Sequence, residues 1–266
     1  MALSQFVVNG LLVGALFAAV AVGFALIWGV VDIINLAHGE MAMLGGYVSC
    51  AIITAVTGDA TASPALALAT VPVAVVVVYG VGYLLQRTLV ARVTDEDLFL
   101  TLLVTFGLSI LIQQLALQVW SATPRSIGVT FQQSSLAVAG LVVPKLKLLA
   151  FAGSVALTGA LYAFLQVTRR GRAIRAVSQN AEAAALVGID VEHTRAATFG
   201  LSSAIAAGAG SFVAMILNVQ PQMGLIYTLK SFVIVVFGGI GSVPGALVGG
   251  LLLGTVEELT TGLVSS

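Results

Sequence analysis

Asn35, His38 and Glu40 crowd into one stretch, residues 31–46 (VDIINLAHGEMAMLGG), of a chain that is strongly apolar on both sides of it. A histidine and a carboxylate can share a metal only where they point the same way. Positions two apart on a helix diverge by about 200°, so His38 and Glu40 do not form a metal-binding face there. A hydrolytic pair is the next chemistry to weigh, with His38 as base and Ser242 as nucleophile. No G-x-S-x-G elbow surrounds Ser242 and no H-E-x-x-H occurs, which argues against a serine hydrolase and a zinc helix alike. Recognition or gating remains. An ionised carboxylate at the centre of a bilayer costs about 2.5–3.5 kcal/mol, so Glu40 is expected at an interface, paired, or functional. Asn35 and His38 either satisfy backbone groups or cap the next helix, or they touch a solute.

A second stretch, residues 238–250 (GGIGSVPGALVGG), interrupts a run free of charged residues with glycines and Pro244. Paired Gly/Pro interruptions in the two halves of a transporter point to discontinuous helices beside a translocation path, and irregular backbone at membrane depth persists only where protein or water surrounds it. Turns at the membrane surface are the alternative. With these two stretches in view, Asn35, His38, Glu40, Gly239, Gly241, Ser242 and Pro244 are the candidate residues of a path or gate.

The elements that must position them are membrane helices. Of 266 residues, 8% are charged and 59% hydrophobic, where a soluble domain carries about 25% charged residues. The formal net charge is zero, which gives nucleic acid no electrostatic foothold. One cysteine, Cys50, can build neither a disulfide nor a cysteine cluster. No Lys or Arg precedes Arg87, so the first apolar run lacks the basic start of a signal peptide and is expected to stay as a membrane helix. Spans of the required length, about 20 apolar residues, are expected near 6–30, 40–57, 64–86, 98–119, 148–168, 196–217, 225–238 and 243–258. They lack period-2 alternation, so an all-α polytopic bundle of about eight spans in one domain, 1–266, is expected rather than a barrel. Gly10 and Gly14, Gly245 and Gly249, and Gly250 and Gly254 have the small-xxx-small spacing of close helix approach.

Residues 169–195 (RRGRAIRAVSQNAEAAALVGIDVEHTR) form a polar island holding five of the eleven Lys and Arg residues. By the positive-inside rule this loop and the one with Arg87 and Arg92 face the cytoplasm. Counting spans then places both termini outside. Within the island, residues 173–187 carry strong helix formers, and Gly188 follows as a stop. The expected product is one short cytoplasmic helix, too polar to cross the membrane.

Several collinear blocks resemble the permease subunits of bacterial ABC importers for branched-chain amino acids and related compounds, the Liv-type family. They are Asn9-Gly10-Leu11 with Gly14-Ala15-Leu16, INLAHGE from Ile34 with MLGGY from Met43, RAVSQNAEAAALVGID from Arg175, and Lys230 followed by VVFGGIGSVPGA from Val235. The resemblance implies that Gln179, Asn180, Glu182, Ala183, Ala184 and Gly188 belong to a coupling helix seated on an ATPase. It also implies a second, homologous and non-identical permease, two cytoplasmic ATPases, a periplasmic substrate-binding protein, and a place in the bacterial inner membrane. No G-x-x-x-x-G-K-[ST] loop occurs, so no cofactor is expected on this chain; ATP and Mg would sit on the ATPases. Members of that family usually continue past the Val-Glu-Glu block with a further hydrophobic helix, whereas here Ser266 follows soon after Glu258. A secondary transporter or channel for small solutes is the alternative, and it would not need a polar helix shaped for a cytoplasmic partner.

Overall fold

The structure, a computed structural model, describes residues 2–58, 61–94, 97–130, 134–138 and 141–264. Ten α-helices and one small hairpin appear among the described residues: α1 Ala2–Val31, α2 His38–Thr57, α3 Pro64–Thr88, α4 Leu98–Trp120, β1 Ser135–Val138, β2 Leu141–Pro144, α5 Lys145–Val167, α6 Arg169–Gln179, α7 Ala181–Leu186, α8 Val191–Ile216, α9 Met223–Gly238 and α10 Val243–Val264. Seven of them, α1 to α5, α8 and α10, are long and apolar enough to cross a membrane. The segment expected as an eighth span, α9, is helical but has 16 residues, short of the roughly 20 a full crossing needs. The protein is an all-α, multi-pass membrane protein.

The core is built on α1 and α8, whose apolar and small residues are enclosed on nearly every side. Leu16, Ala19, Val20 and Ala21 of α1 and Ala206, Ala207 and Ala209 of α8 have no exposed surface. A helix apolar all round is a buried one, and lipid supplies no hydrophobic force between helices, so close van der Waals approach must hold this pair in place. Glycine permits that approach. A Cβ on Gly14 would lie 2.8 Å from the Gly250 carbonyl oxygen of α10, and one on Gly10 would lie 2.5 Å from Thr255 Cα. The expected small-xxx-small seams are thus real contacts, with Gly10 and Gly14 on one side and Gly250 and Gly254 on the other.

Helix α3 lies along α8 much as α10 lies along α1. Hydroxyls add to these seams: Ser202 Oγ donates to Gly23 O at 2.6 Å, and Ser49 Oγ donates to Ser211 Oγ at 2.9 Å. Such bonds are worth about 0.6 kcal/mol each in a membrane bundle, so they fix register more than they add stability.

Contacts sort the connections to two ends of the bundle. At one end the antiparallel β1–β2 hairpin meets the start of α1, where Gln5 Nε2 donates to Val142 O at 2.7 Å and Val142 N donates to Gln5 Oε1 at 2.9 Å. The same end carries the backbone pairing of Arg125 with Val219. Phe6 packs against Gly262, so the N-terminal part of α1 and the C-terminal part of α10 lie together, as the span count expects. At the other end Arg87, Arg92 and Arg195 line one cavity, so the two arginine-bearing connections share a side.

Candidate functional site

The first break is a discontinuous helix inside the bundle. Helix α1 ends at Val31, Asp32 takes φ 58°, and residues 32–37 then return along the bundle without helical structure. Helix α2 begins beside the middle of α1, since His38 Nε2 lies 2.9 Å from Val20 O. A carbonyl oxygen only accepts, so Nε2 carries the hydrogen in that contact. Asn35 Oδ1 accepts from Ala37 N at 3.0 Å, and Asn35 O accepts from His38 N at 3.2 Å. Asn35 and His38 therefore satisfy backbone groups where the chain turns into α2, the first of the two roles the sequence allows them. Glu40, in the first turn, accepts from Ser109 Oγ of α4 at 3.0 Å. All three residues are buried, and among the described residues Asn35 Nδ2, His38 Nδ1 and Glu40 Oε2 have no hydrogen-bond partner.

The structural counterpart of this break is the connection 217–222, which the sequence reading missed. After α8 the chain reads LNVQPQ, pairs its backbone with Arg125, and starts α9 beside the first turn of α2. The two first turns run antiparallel. Thr228 Oγ1 accepts from Gly39 N at 2.8 Å and donates to Leu36 O at 3.2 Å. Gly224 sits against the Glu40 carboxylate and Gly39 against the Gly224 carbonyl, so a side chain on either glycine has no room. Pro221 amid Asn218, Gln220 and Gln222 was the available signal. Gly224, Thr228, Ser109 and Thr105, whose hydroxyl contacts Leu36 N and Ile34 O, were invisible because their partners lie far away in sequence.

The second predicted stretch lies elsewhere. Residues 239–242 are a turn between α9 and α10 at the arginine-bearing end, with Gly239 at φ 96° and Gly241 at φ 75°, conformations that favour glycine. Ser242 Oγ accepts from Gly245 N at 3.0 Å and thereby caps α10, in which Pro244 occupies the first turn. Gly241 abuts Gly29, nine positions along α1 from Val20, or about 13 Å at helical rise. Gly239, Gly241, Ser242 and Pro244 are therefore not gathered with Asn35, His38 and Glu40. They lie instead beneath the polar island: a cavity of about 190 Å³ is lined by Gly241, Ser242 and Pro244 together with Ile174, Arg175 and Ser178 of α6.

The island itself is two helices, not the single helix expected over 173–187. Asn180 adopts an extended conformation (φ −162°, ψ 105°) and accepts from Ala183 N at 2.8 Å, so it ends α6 and caps α7. A side-chain acceptor three residues before a free amide outcompetes helix continuation, which is why the break falls at an asparagine. Gly188, at φ 86°, stops α7 as expected. Ile174 and Val177 of α6 are buried, and Arg175 hydrogen-bonds Gln166 of α5. Gln179, Asn180, Glu182, Ala183 and Gly188 are exposed, while Ala184 is buried. Beyond them Leu186 and Val187 are 89% and 78% exposed, an apolar tip on a polar loop that the sequence reading did not single out.

Comparison with known proteins agrees with this architecture. A family described as the branched-chain amino acid transport system permease component matches residues 6–266. The high-affinity branched-chain amino acid transport system permease protein BraD of Pseudomonas aeruginosa is 32% identical over 261 residues, covering 95% of this chain and 84% of its own length. The corresponding permease protein LivH of Escherichia coli K12 is 30% identical over 268 residues, covering 97% of this chain and 86% of its own. The xylose transport system permease protein XylH of E. coli K12 is 35% identical, over 34% of this chain and 25% of its own length. On the extent of these matches and the spanning helices that carry them, the chain belongs to the branched-chain amino acid transport system permease family.

Proposed function

We propose that this ABC importer permease contributes half of a translocation path for branched-chain or related amino acids, beside a second, homologous permease. Two cytoplasmic ATPases, which hold ATP and Mg, drive it, and a periplasmic binding protein delivers the substrate. The observation that carries this reading is the island at one end of the spanning bundle. Its stem, α6, packs against α5, α1 and α8 and buries Ile174 and Val177, whereas α7 and the residue that follows it present Glu182, Ala183, Leu186 and Val187 outward. A short amphipathic projection of that kind suits a groove on a soluble partner. Gln179, Asn180, Glu182, Ala183, Ala184 and Gly188 are then the coupling segment.

Movement has a mechanical route inward. Helix α6 rests over the 239–242 turn, the turn rests on Gly29, and α1 leads from Gly29 to the Val20–His38 contact. At its far end lie the antiparallel first turns of α2 and α9. The Gly39–Gly224 contact, with Asn35, His38 and Glu40 around it, is the gate, and Gly239, Gly241, Ser242 and Pro244 form the hinge that reaches it.

Reconstitution in liposomes tests the reading. L-leucine uptake is expected only when the full assembly is present and ATP is inside with the ATPases. Uptake by this chain without an ATPase would establish a secondary transporter or channel instead.

A further inference from the structure

A cavity of about 370 Å³ opens at the end of the bundle opposite the polar island, between α1, α5, α9 and α10. Its size lies within the range of about 300–1,000 Å³ typical of small-molecule sites. Phe17, Met223 and Tyr227 supply apolar walls. Four charged side chains also face it, Lys147, Lys230, Glu257 and Glu258, two of each sign.

The two ion pairs differ in kind. Lys230 Nζ lies 2.7 Å from both Glu257 oxygens and 4.0 Å from the Phe17 ring centroid, so its charge is already matched on two sides. Lys147 Nζ and Glu258 Oε1 are 3.9 Å apart, beyond hydrogen-bond length, and their side chains are 24% and 29% exposed. This second pair offers an ammonium with donors to give and a carboxylate with lone pairs to fill.

We infer that the cavity is a binding site for a zwitterionic α-amino acid with an apolar side chain. Lys147 receives the α-carboxylate, Glu258 receives the α-ammonium, and the side chain packs toward Phe17, Met223 and Tyr227. Lys230 and Glu257 form the fixed floor. Charge balance argues for this class of ligand: the cavity is neutral when empty and stays neutral with a zwitterion in it, whereas a singly charged solute leaves a partly buried charge unmatched. Position argues the same way. Met223 lines the cavity, and the next residue, Gly224, lies against Glu40 at the junction of the first turns of α2 and α9. The inference rests on the amino acid transport reading and adds to it the place where the solute waits above the gate.

The test is equilibrium binding of radiolabelled L-leucine to the permease–ATPase complex in lipid nanodiscs, without the soluble binding protein. L-leucinamide, which lacks the carboxylate, and 4-methylpentanoate, which lacks the ammonium, serve as competitors. Each is expected to compete at least tenfold more weakly than unlabelled L-leucine. Lys147→Met is expected to weaken L-leucine at least tenfold without weakening L-leucinamide, and Glu258→Gln to do the same for L-leucine without weakening 4-methylpentanoate. A structural ion pair would not shift those ratios. Val13→Trp, which sets a bulky ring on the partly buried α1 wall of the cavity and leaves all four charges in place, is expected to abolish binding and serves if a charge variant fails to assemble. Unchanged ratios in assembled variants, or full binding by Val13→Trp, would overturn the site. Uptake by the complete assembly is measured in parallel: leucine uptake with unmoved ratios removes the pocket alone, and no uptake of any amino acid removes the transport reading and the pocket with it.

Discussion

At Thr228 a single hydroxyl joins two helices that each begin inside the bundle. It accepts from Gly39 N and donates to Leu36 O, so it satisfies an amide and a carbonyl that the start of α2 leaves without helical partners. Thr228→Val keeps the shape and removes both bonds, and leaving a buried amide unpaired costs about 1–3 kcal/mol. A lower melting temperature in detergent is expected for Thr228→Val, with Thr228→Ser near wild type. Gly224→Ala sets a methyl group into the Glu40 carboxylate, and overpacking of that kind costs about 1–3 kcal/mol. Its expected effect is a lower melting temperature together with slower uptake, read from the same reconstituted preparation. Much of this site was legible in the sequence. Asn35, His38 and Glu40 announced themselves as polar groups in an apolar run, and the cost of burying them demanded partners. The partners were not legible: Gly39 and Thr228 are 189 positions apart, and no local pattern pairs them.

The elements show a comparable division. Helices α1 to α5, α8 and α10 lie where runs of apolar residues place them, because each backbone must satisfy itself within lipid. Pro221 and its polar neighbours do not distinguish the break between α8 and α9 from an ordinary loop, since they look the same at a surface as in a returning segment. The Gly/Pro signal at 238–250 drew attention to a tight turn, where glycine is required by positive φ. In the polar island, helix propensity alone favours continuity across Asn180, and the side-chain cap decides against it. Asn180→Ala is expected to destabilise α7 by about 1 kcal/mol and to lower ATP-dependent uptake, with Asn180→Asp retaining the cap. Leu186→Asp removes the apolar tip without touching the cap. It is expected to weaken ATPase association at least tenfold in a pull-down while leaving the fold intact, because Leu186 is 89% exposed.

Over the whole molecule, the returning segments preserve the parity of crossings. Residues 32–37 and 217–222 complete the distances that α2 and α9 do not cover, so the start of α1 and the end of α10 lie at the end opposite the polar island. Orientation is then testable with single cysteines in a Cys50→Ser background. A membrane-impermeant thiol reagent is expected to label Val187→Cys only in inside-out vesicles and Val142→Cys only in intact spheroplasts. The seam between α1 and α10 has a further consequence, in the timing of synthesis. Helix α1 emerges well before α10, yet α10 carries the surface that Gly10 and Gly14 are shaped to meet. From Val31 to Val264 the ribosome, at about 5–20 residues per second, needs on the order of ten to fifty seconds. For that interval α1 lies in the membrane without its mate, and its glycine face must be shielded by lipid or by the insertion machinery until α10 arrives.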